Sequence, residues 1–359
     1  MKKWTILLII SLVAITFFDK KSIDISAKET VKIGVTLPLT GNLSYVVANM
    51  KETAIFTENE INAKNNKYKY ELIIEDNAFE GKRAALNANK FINVDKVDAI
   101  ISATSRAGNV VSPIAEKSKV IHINPFVSDG NVANGKYNFI NSTQPKQQCE
   151  KLAEMLVKNK IKKVVTYYIN DAAAIAVNNA CDKALLENNI DNYSIKSNPD
   201  EKDFRTILQR NRDLNPDMYL LFHFPPGINI LAKQMREMNI STPFTTIEAI
   251  YYVGDDKLFD NVWFVSSADV KDEKMYLFED IIVNDNIHGI GNMYDTIHIL
   301  VDAFETVGKD SDKISKYLSS IKNYDGIVGK ISASADGILE SEASVKIKKN
   351  GKIISYKDF

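Results

Sequence analysis

Cysteine, histidine and concentrated positive charge are all scarce in this chain of 359 residues. It has two cysteines and four histidines, and none of these residues has the spacing to another that a zinc site requires. Lysine and arginine total 45 against 46 aspartates and glutamates, and no block of basic residues occurs. Nucleic-acid binding normally needs a concentrated basic face. We therefore expect neither a metal site nor a nucleic-acid partner.

The common catalytic motifs are absent from the sequence as well. It contains no G-x-S-x-G elbow, no H-E-x-x-H and no P-loop. Gly289-Ile290-Gly291 lacks both the third glycine and the preceding strand of a dinucleotide-binding turn. We expect no enzymatic activity and no cofactor.

Cys149 and Cys181 fall on two successive predicted helices. In an oxidising compartment such a pair can form a disulfide. The sequence does not place the two residues within the short distance that bonding needs. A disulfide and two buried thiols are therefore equal alternatives.

Residues 1–27 have the pattern of an export signal. Lys2 and Lys3 precede an apolar segment over residues 5–18, which is short for a membrane-spanning helix. Ser26-Ala27 offers a weak cleavage site, and an uncleaved N-terminal anchor is the alternative. No cysteine lies directly after the apolar segment, so a lipoprotein anchor of the usual kind is excluded. Both alternatives place the body of the protein in the periplasm or an equivalent extracytoplasmic space.

Strand and helix patterns alternate along most of the chain. The apolar, β-branched segment 31–37 predicts a buried strand, which Pro38 and Gly41 end in a turn. An amphipathic helix over 46–61 and a strand over 70–76 complete a βαβ unit. The same alternation continues and predicts an α/β protein with parallel sheets covered by helices, long enough for two domains.

The C-terminal region departs from this alternation. Helices are predicted over 294–307 and 312–321, followed by short strands from residue 329 onwards. Asp336-Gly337 and Asn350-Gly351 predict hairpin turns between those strands.

Hydroxyl-rich turns follow two successive predicted strands. Ser105 comes after the strand over 97–101, and Ser128 comes after the strand over 120–124. Ligands of parallel sheets bind beyond the carboxyl ends of the strands, where hydroxyl and N–H groups at helix starts bind carboxylates well. A single serine at such a position is more often only a helix N-cap. The recurrence at adjacent strand ends favours ligand contact.

Several segments, in order along the chain, carry a resemblance to a known family. They are residues 33–41, 60–63, 95–101, 294–295, 324–329 and 336–337. In these segments the chain resembles the branched-chain amino-acid type of solute-binding protein of ABC importers, the leucine-binding protein family, from residue 31 nearly to the end. The resemblance implies the type I periplasmic-binding fold, with two Rossmann-like lobes, three hinge crossovers and a ligand cleft between the lobes.

The resemblance also implies the division of the chain. Lobe I would comprise 31–142 and 268–324, and lobe II would comprise 143–267 and 325–359, with the three connections near Asn141, Ser267 and Tyr324. A ligand that contacts both lobes would stabilise the closed form.

Site residues follow from the same resemblance. It implies that a ligand carboxylate binds in lobe I to the turn at Ser105 and Arg106 and to Ser128, with Phe126 offering its carbonyl. It implies that a ligand ammonium binds Glu248 in lobe II, and a cation facing a desolvated carboxylate is physically sound. A plain surface glutamate is the alternative for Glu248.

Tyr45, His223 and Phe224 stand where the family places residues lining the pocket. For His223, a hydrogen-bonded core histidine is the commoner alternative.

Four positions depart from the family pattern. Ala173-Ala174 replaces the usual tyrosine and glycine, and Ile140 replaces an arginine. Arg106 replaces a small residue and would either pair with an extra acid group or block the pocket. These departures leave the ligand open.

The function implied is that of an extracytoplasmic receptor that delivers a small amino-acid-like or carboxylate-bearing solute to ABC permease subunits in the membrane, most simply as a monomer. The alternative is a ligand-sensing input protein of the same fold for a membrane receptor or kinase.

Overall fold

The computed structural model describes residues 28–41, 44–254, 257–268, 270–282 and 288–356. The predicted export segment, residues 1–27, lies outside the described residues. Within the described ranges, no helix combines the length and apolar character needed to cross a membrane.

The N-terminal part of the chain forms a five-stranded parallel sheet in the order β2-β1-β3-β4-β5. In chain order, its strands and helices are β1 (Thr30–Leu37), α1 (Ser44–Asn62), β2 (Lys69–Asp76), α2 (Gly81–Lys90), β3 (Ala99–Ser102), α3 (Ser105–Ser118), β4 (Ile121–Asn124) and β5 (Asn138–Ile140). The strand order reverses at β1, which pairs with both β2 and β3. Ligands of such sheets bind beyond the strand ends at the point of reversal.

β1 is buried on both faces, as its apolar run predicts. Val31, Ile33 and Val35 have no exposed surface and belong to the main core. On the opposite face, a Cβ on Gly34 would lie 2.5 Å from the ring of Phe91, so that ring packs directly on the strand backbone. Only glycine allows this close approach.

The middle of the chain forms a second parallel sheet of four strands in the order β7-β6-β8-β9. In chain order, the elements are α4 (Pro145–Lys158), β6 (Lys163–Ile169), α5 (Ala172–Glu187), β7 (Asp191–Ser197), α6 (Arg205–Arg210), β8 (Met218–Phe222), α7 (Gly227–Glu237) and β9 (Phe244–Thr245). We call the unit around the five-stranded sheet the first lobe and the unit around this sheet the second lobe. A disulfide joins Cys149 of α4 to Cys181 of α5.

The remaining elements complete both lobes. They are β10 (Trp263–Ser266), α8 (Ile290–Val307), α9 (Ser311–Ser319), β11 (Tyr324–Asp325), β12 (Lys330–Ala333), β13 (Leu339–Glu340), β14 (Ser344–Lys349) and β15 (Lys352–Ser355). The strands among them form two antiparallel sheets, β10-β14-β15 and β11-β12-β13. Both predicted hairpin turns are present, and Asn350 and Gly351 have the positive φ values of 52° and 77° that a two-residue hairpin loop requires.

The third connection between the lobes differs from the boundary expected near Tyr324. The Ile140 N–H donates to the Gly337 carbonyl at 3.1 Å, and Ile338 bridges to Ile140. Residues 330–340 therefore pair with the first lobe, and the chain joins the second lobe only at β14, which pairs with β10. The change of lobe therefore comes between β13 and β14 rather than near Tyr324, because this hairpin extends the edge of the first sheet. The other lobe boundaries stay predictions.

Candidate functional site

A cavity of about 460 Å³ lies between the carboxyl ends of the two parallel sheets. The starts of α3 and α5 line it from opposite lobes, and the first crossover contributes Ser142 and Thr143. The strand-end turns predicted to bear ligand contacts therefore come together at one cleft.

The first-lobe wall is built around the start of α3. Thr104 has a φ of 78° and its hydroxyl accepts the Ala107 N–H, which caps the helix. The Thr104 N–H donates to the Phe126 carbonyl at 2.7 Å, and the Ser128 N–H donates to Ser105 Oγ at 3.4 Å. These bonds hold the two serine turns side by side. With the positive end of α3, they form a wall suited to an anion.

Arg106 extends from this wall across the mouth of the cavity. Its guanidinium lies 4.1 Å from the Phe79 ring centroid, and Nη1 donates to the Phe79 carbonyl at 3.4 Å. Nη2 lies 3.7 Å from Oδ2 of Asp171 in the second lobe. The acid group that Arg106 faces in the structure is therefore a residue of the protein, and the two roles expected towards a ligand stay predictions.

The second-lobe wall contains the start of α5. Asp171 is its N-cap, and Oδ1 accepts the Ala173 N–H at 3.0 Å. Ala172 and Ala173 line the main cavity, while Ala173 and Ala174 line a smaller adjoining cavity of about 40 Å³. The small side chains at these positions leave that space open.

Glu248 lies at the floor of the cavity and follows β9. Its Oε1 accepts hydrogen bonds from the Ser267 N–H at 3.1 Å and from Nε2 of Gln148 at 2.5 Å. It also accepts a hydrogen bond from the Ser267 hydroxyl. Nε2 of His288 lies 3.2 Å from the same oxygen. Burial by itself would raise the pKa of Glu248, but His288 and Ser267 outweigh it, so the pKa lies below its ordinary value. Glu248 is thus an ionised, internally hydrogen-bonded group rather than a plain surface residue.

His288 is a site residue that the sequence analysis missed. Its ring stacks on Tyr251 at 5.1 Å, meets Phe126 edge-on at 4.9 Å, and places Nδ1 2.6 Å from the Tyr252 hydroxyl. It lies 40 positions from Glu248 along the chain, just before α8, and no periodic pattern marks it. Only the chain fold brings it to the cavity.

The expected aromatic and histidine positions are distributed over several layers. Phe126 and Phe224 line the main cavity together with Tyr252. Tyr45 lies behind this wall, with its ring edge-on to Tyr252 at 5.9 Å. His223 is only 2% exposed and borders the smaller cavity.

The surroundings of His223 are those of a core residue. Its Nε2 lies 3.2 Å from Ser197 Oγ, and its ring meets Phe204 edge-on at 5.2 Å. Burial lowers the pKa of His223 to about 4, so the ring is neutral at pH 7. The geometry favours the hydrogen-bonded core alternative over a direct contact in the main cavity.

Within the part of the chain that the structure describes, no group of three or more His, Cys, Asp or Glu residues is arranged to hold a metal ion.

A family model described as periplasmic binding protein matches residues 30–257 of the chain. The chain belongs to the periplasmic binding protein family. Among curated protein sequences, none matches this periplasmic binding protein significantly.

Solved structures agree with this assignment. The leucine binding protein LivK of Thermotoga maritima has a TM-score of 0.82 and 22% identity, over 91% of this chain and 98% of LivK. The branched-chain amino acid binding protein LivJ of Streptococcus pneumoniae, in complex with isoleucine, has a TM-score of 0.80 and 21% identity, over 91% of this chain and 98% of LivJ. An ABC-transporter solute binding protein of Rhodopseudomonas palustris, in complex with p-hydroxybenzoic acid, has a TM-score of 0.80 and 15% identity, over 92% of this chain and 96% of that protein.

At these identities the likeness concerns the fold. This periplasmic binding protein has the type I periplasmic-binding fold that its sequence predicts, with two α/β lobes around a cleft. Its structural neighbours are solute-binding proteins of ABC transporters, and their ligands include an amino acid and an aromatic acid.

Proposed function

We propose that this periplasmic binding protein acts outside the cytoplasm, where it binds a small carboxylate-bearing solute, an amino acid or a related acid, and delivers it to an ABC permease. The proposal rests mainly on one observation. The start of α3, with Ser105 and Ser128, faces Glu248 across an interlobe cavity of about 460 Å³, a size typical of small-molecule sites.

The ligand carboxylate would bind at the start of α3. The hydroxyls of Ser105 and Ser128 are the donors, since Thr104 already accepts the Ala107 N–H, and the positive end of the helix favours an anion there. The solved neighbours support a carboxylate, because both isoleucine and p-hydroxybenzoic acid carry one.

The body of the ligand would lie against the aromatic part of the cavity. Phe126 contributes from the first lobe, and Phe224 and Tyr252 contribute from the second. A solute that touches both lobes stabilises their closed arrangement, which is the state a transporter could distinguish from the empty protein.

Isothermal titration against a panel of amino acids and small carboxylic acids tests the binding. Ser105→Ala removes a hydroxyl facing the carboxylate and should weaken binding by about 1.5–3 kcal/mol, a rise in Kd of roughly 10- to 150-fold. Ser118→Ala, at the far end of the same helix, is the matched control and should leave Kd unchanged. Equal affinity for an acid and its methyl ester would contradict the carboxylate site.

Two further measurements test transport and the absence of chemistry. The ligand-loaded protein should stimulate ATP hydrolysis by its reconstituted permease, and the same protein without ligand should stimulate it less. Solutes recovered after incubation should be chemically unaltered by NMR. Altered solute would contradict the proposal that this is a binding protein without turnover.

A further inference from the structure

Two acidic side chains of the second lobe border the cavity, and each meets a nitrogen donor from the first lobe. Asp171 lies 3.7 Å from Arg106 at the mouth, and Glu248 lies 3.2 Å from His288 at the floor. The first lobe thus supplies a partner to both acids.

Glu248 has its donors before any solute arrives. The oxygen that faces His288, Oε1, also accepts from Gln148 and from both the N–H and the hydroxyl of Ser267. Gln148, Ser267 and His288 are each less than 4% exposed, so these donors are fixed in position rather than shared with water. Such a set compensates the desolvation that a buried carboxylate suffers.

His288 is held in the orientation this role needs. An ionised carboxylate only accepts hydrogen bonds, so Nε2 of His288 carries the proton towards Glu248. On the other side, Nδ1 meets the Tyr252 hydroxyl at 2.6 Å, and Tyr251 and Phe126 pack on the ring. The ring is thus fixed as a donor to Glu248.

The balance of charge in the cavity then favours one class of solute. Both acids have partners within the protein, whereas the start of α3 faces the cavity with the hydroxyls of Ser105 and Ser128. A ligand ammonium would meet a carboxylate whose Oε1 already has four donors, while a ligand carboxylate would meet the hydroxyls of Ser105 and Ser128 at the positive end of α3.

We infer, building on the proposed function, that the solute is a monocarboxylic acid without an α-ammonium group. Its apolar body lies against Phe126 and Phe224. His288, acting through Glu248, is the positioning residue that excludes the amino acid.

Matched ligand pairs test this on the unaltered protein. We expect 3-phenylpropanoate to bind at least tenfold more tightly than phenylalanine, and 4-methylpentanoate at least tenfold more tightly than leucine, by isothermal titration. Amino acids that bind as tightly as or more tightly than their deamino partners would overturn the inference while leaving the proposed carboxylate site intact. If no carboxylate in either series binds, the proposed function itself fails, and the inference fails with it.

A substitution at His288 tests the residue assigned. His288→Phe keeps a ring against Tyr251 but removes the donor to Glu248, so the preference should shift towards the amino acid of each pair by more than tenfold. His288→Gln, which keeps a donor, should restore the preference for the deamino acid. His298→Phe is the matched control, because His298 lies 3.7 Å from Glu60 in a second histidine–glutamate pair away from the cavity.

Circular dichroism and the melting temperature establish whether each variant is folded. If a variant does not fold, the matched ligand pairs measured on the unaltered protein decide whether the solute lacks an ammonium group. An unchanged preference in a folded His288→Phe protein would show that His288 does not set the ligand class.

Discussion

Thr143 Oγ1 accepts a hydrogen bond from the backbone N–H of Ala268 at 3.0 Å, which ties the first crossover between the lobes to the second. The hydroxyl of Ser341, on the third crossover, lies 2.9 Å from the same atom. One buried threonine therefore meets all three segments about which the lobes would move.

The first prediction concerns this threonine. Thr143→Val keeps the shape of the side chain but leaves the buried Ala268 N–H without its acceptor, so the free energy of unfolding should fall by about 1–3 kcal/mol. Urea denaturation measures the change. Thr206→Val, at an exposed position of α6, is the control and should change the free energy by less than about 0.5 kcal/mol. A loss no greater than the control would mean that the hydrogen bond does not stabilise the hinge.

The second prediction concerns Arg106 and Asp171 at the cavity mouth. Because the arginine side chain is 51% exposed, the pair should contribute only about 0.2–1 kcal/mol to the closed form. A double-mutant cycle of Arg106→Gln and Asp171→Asn, read from ligand dissociation rates, should give a coupling energy in this range that decreases with added salt. Asparagine is chosen because it still caps α5. Strictly additive single effects would show that the two charges are not coupled in the bound state.

The third prediction is a dependence of stability on pH. Burial lowers the pKa of both His122 and His223 to about 4, against about 6.5 in an unfolded chain. Below pH 6.5 the unfolded chain takes up protons that the folded protein refuses, so each histidine lowers the free energy of unfolding as the pH falls towards 4. Between pH 7 and pH 4.5 each should remove about 2–3 kcal/mol.

Urea titrations of His223→Gln across this range test the sign. The variant should lose less stability on acidification than the unaltered protein, by about the contribution of one histidine. Superimposable pH profiles would contradict a neutral, buried His223.

The fourth prediction concerns Gly326 in the turn after β11. Asp295 Oδ1 accepts the Ile327 N–H at 2.8 Å, and a Cβ on Gly326 would lie 2.5 Å from Asp295 Oδ2. Gly326→Ala should therefore displace the carboxylate and lower the free energy of unfolding by about 1–3 kcal/mol. Gly130→Ala is the matched control, because a Cβ there meets no atom within 4 Å. Equal melting temperatures for the two variants would show that the turn relaxes without cost.

The sequence predicted regular elements best where burial is large. The strand predicted over 31–37 agrees with β1, because Val31, Ile33 and Val35 are β-branched and fully buried, which leaves little choice of structure. Helix α2 was not expected, since its fully buried face consists only of Ala84 and Ala88, which give a weak periodic signal. The third crossover was placed too early because the β12–β13 hairpin returns to the first sheet before the chain changes lobe.

The site was predictable only in part. Ser105, Ser128 and Glu248 follow strands in a regular α/β pattern, so position in that pattern brings them to one cleft. His288 lies outside any such pattern, and the interlobe packing alone sets its contacts with Glu248 and Tyr252. Pairings across lobes depend on the three-dimensional arrangement, which local spacing in a sequence does not encode.

The disulfide between Cys149 and Cys181 has a consequence for how the protein moves. It bonds the helix that carries Gln148, a donor to Glu248, to the helix that begins at the N-cap Asp171. Asp171, and Glu248 through its hydrogen bond from Gln148, are therefore both held by the two helices that the disulfide joins. We therefore expect the second lobe to move as a single piece around an arriving solute, with the adjustment between open and shut left to the crossover segments.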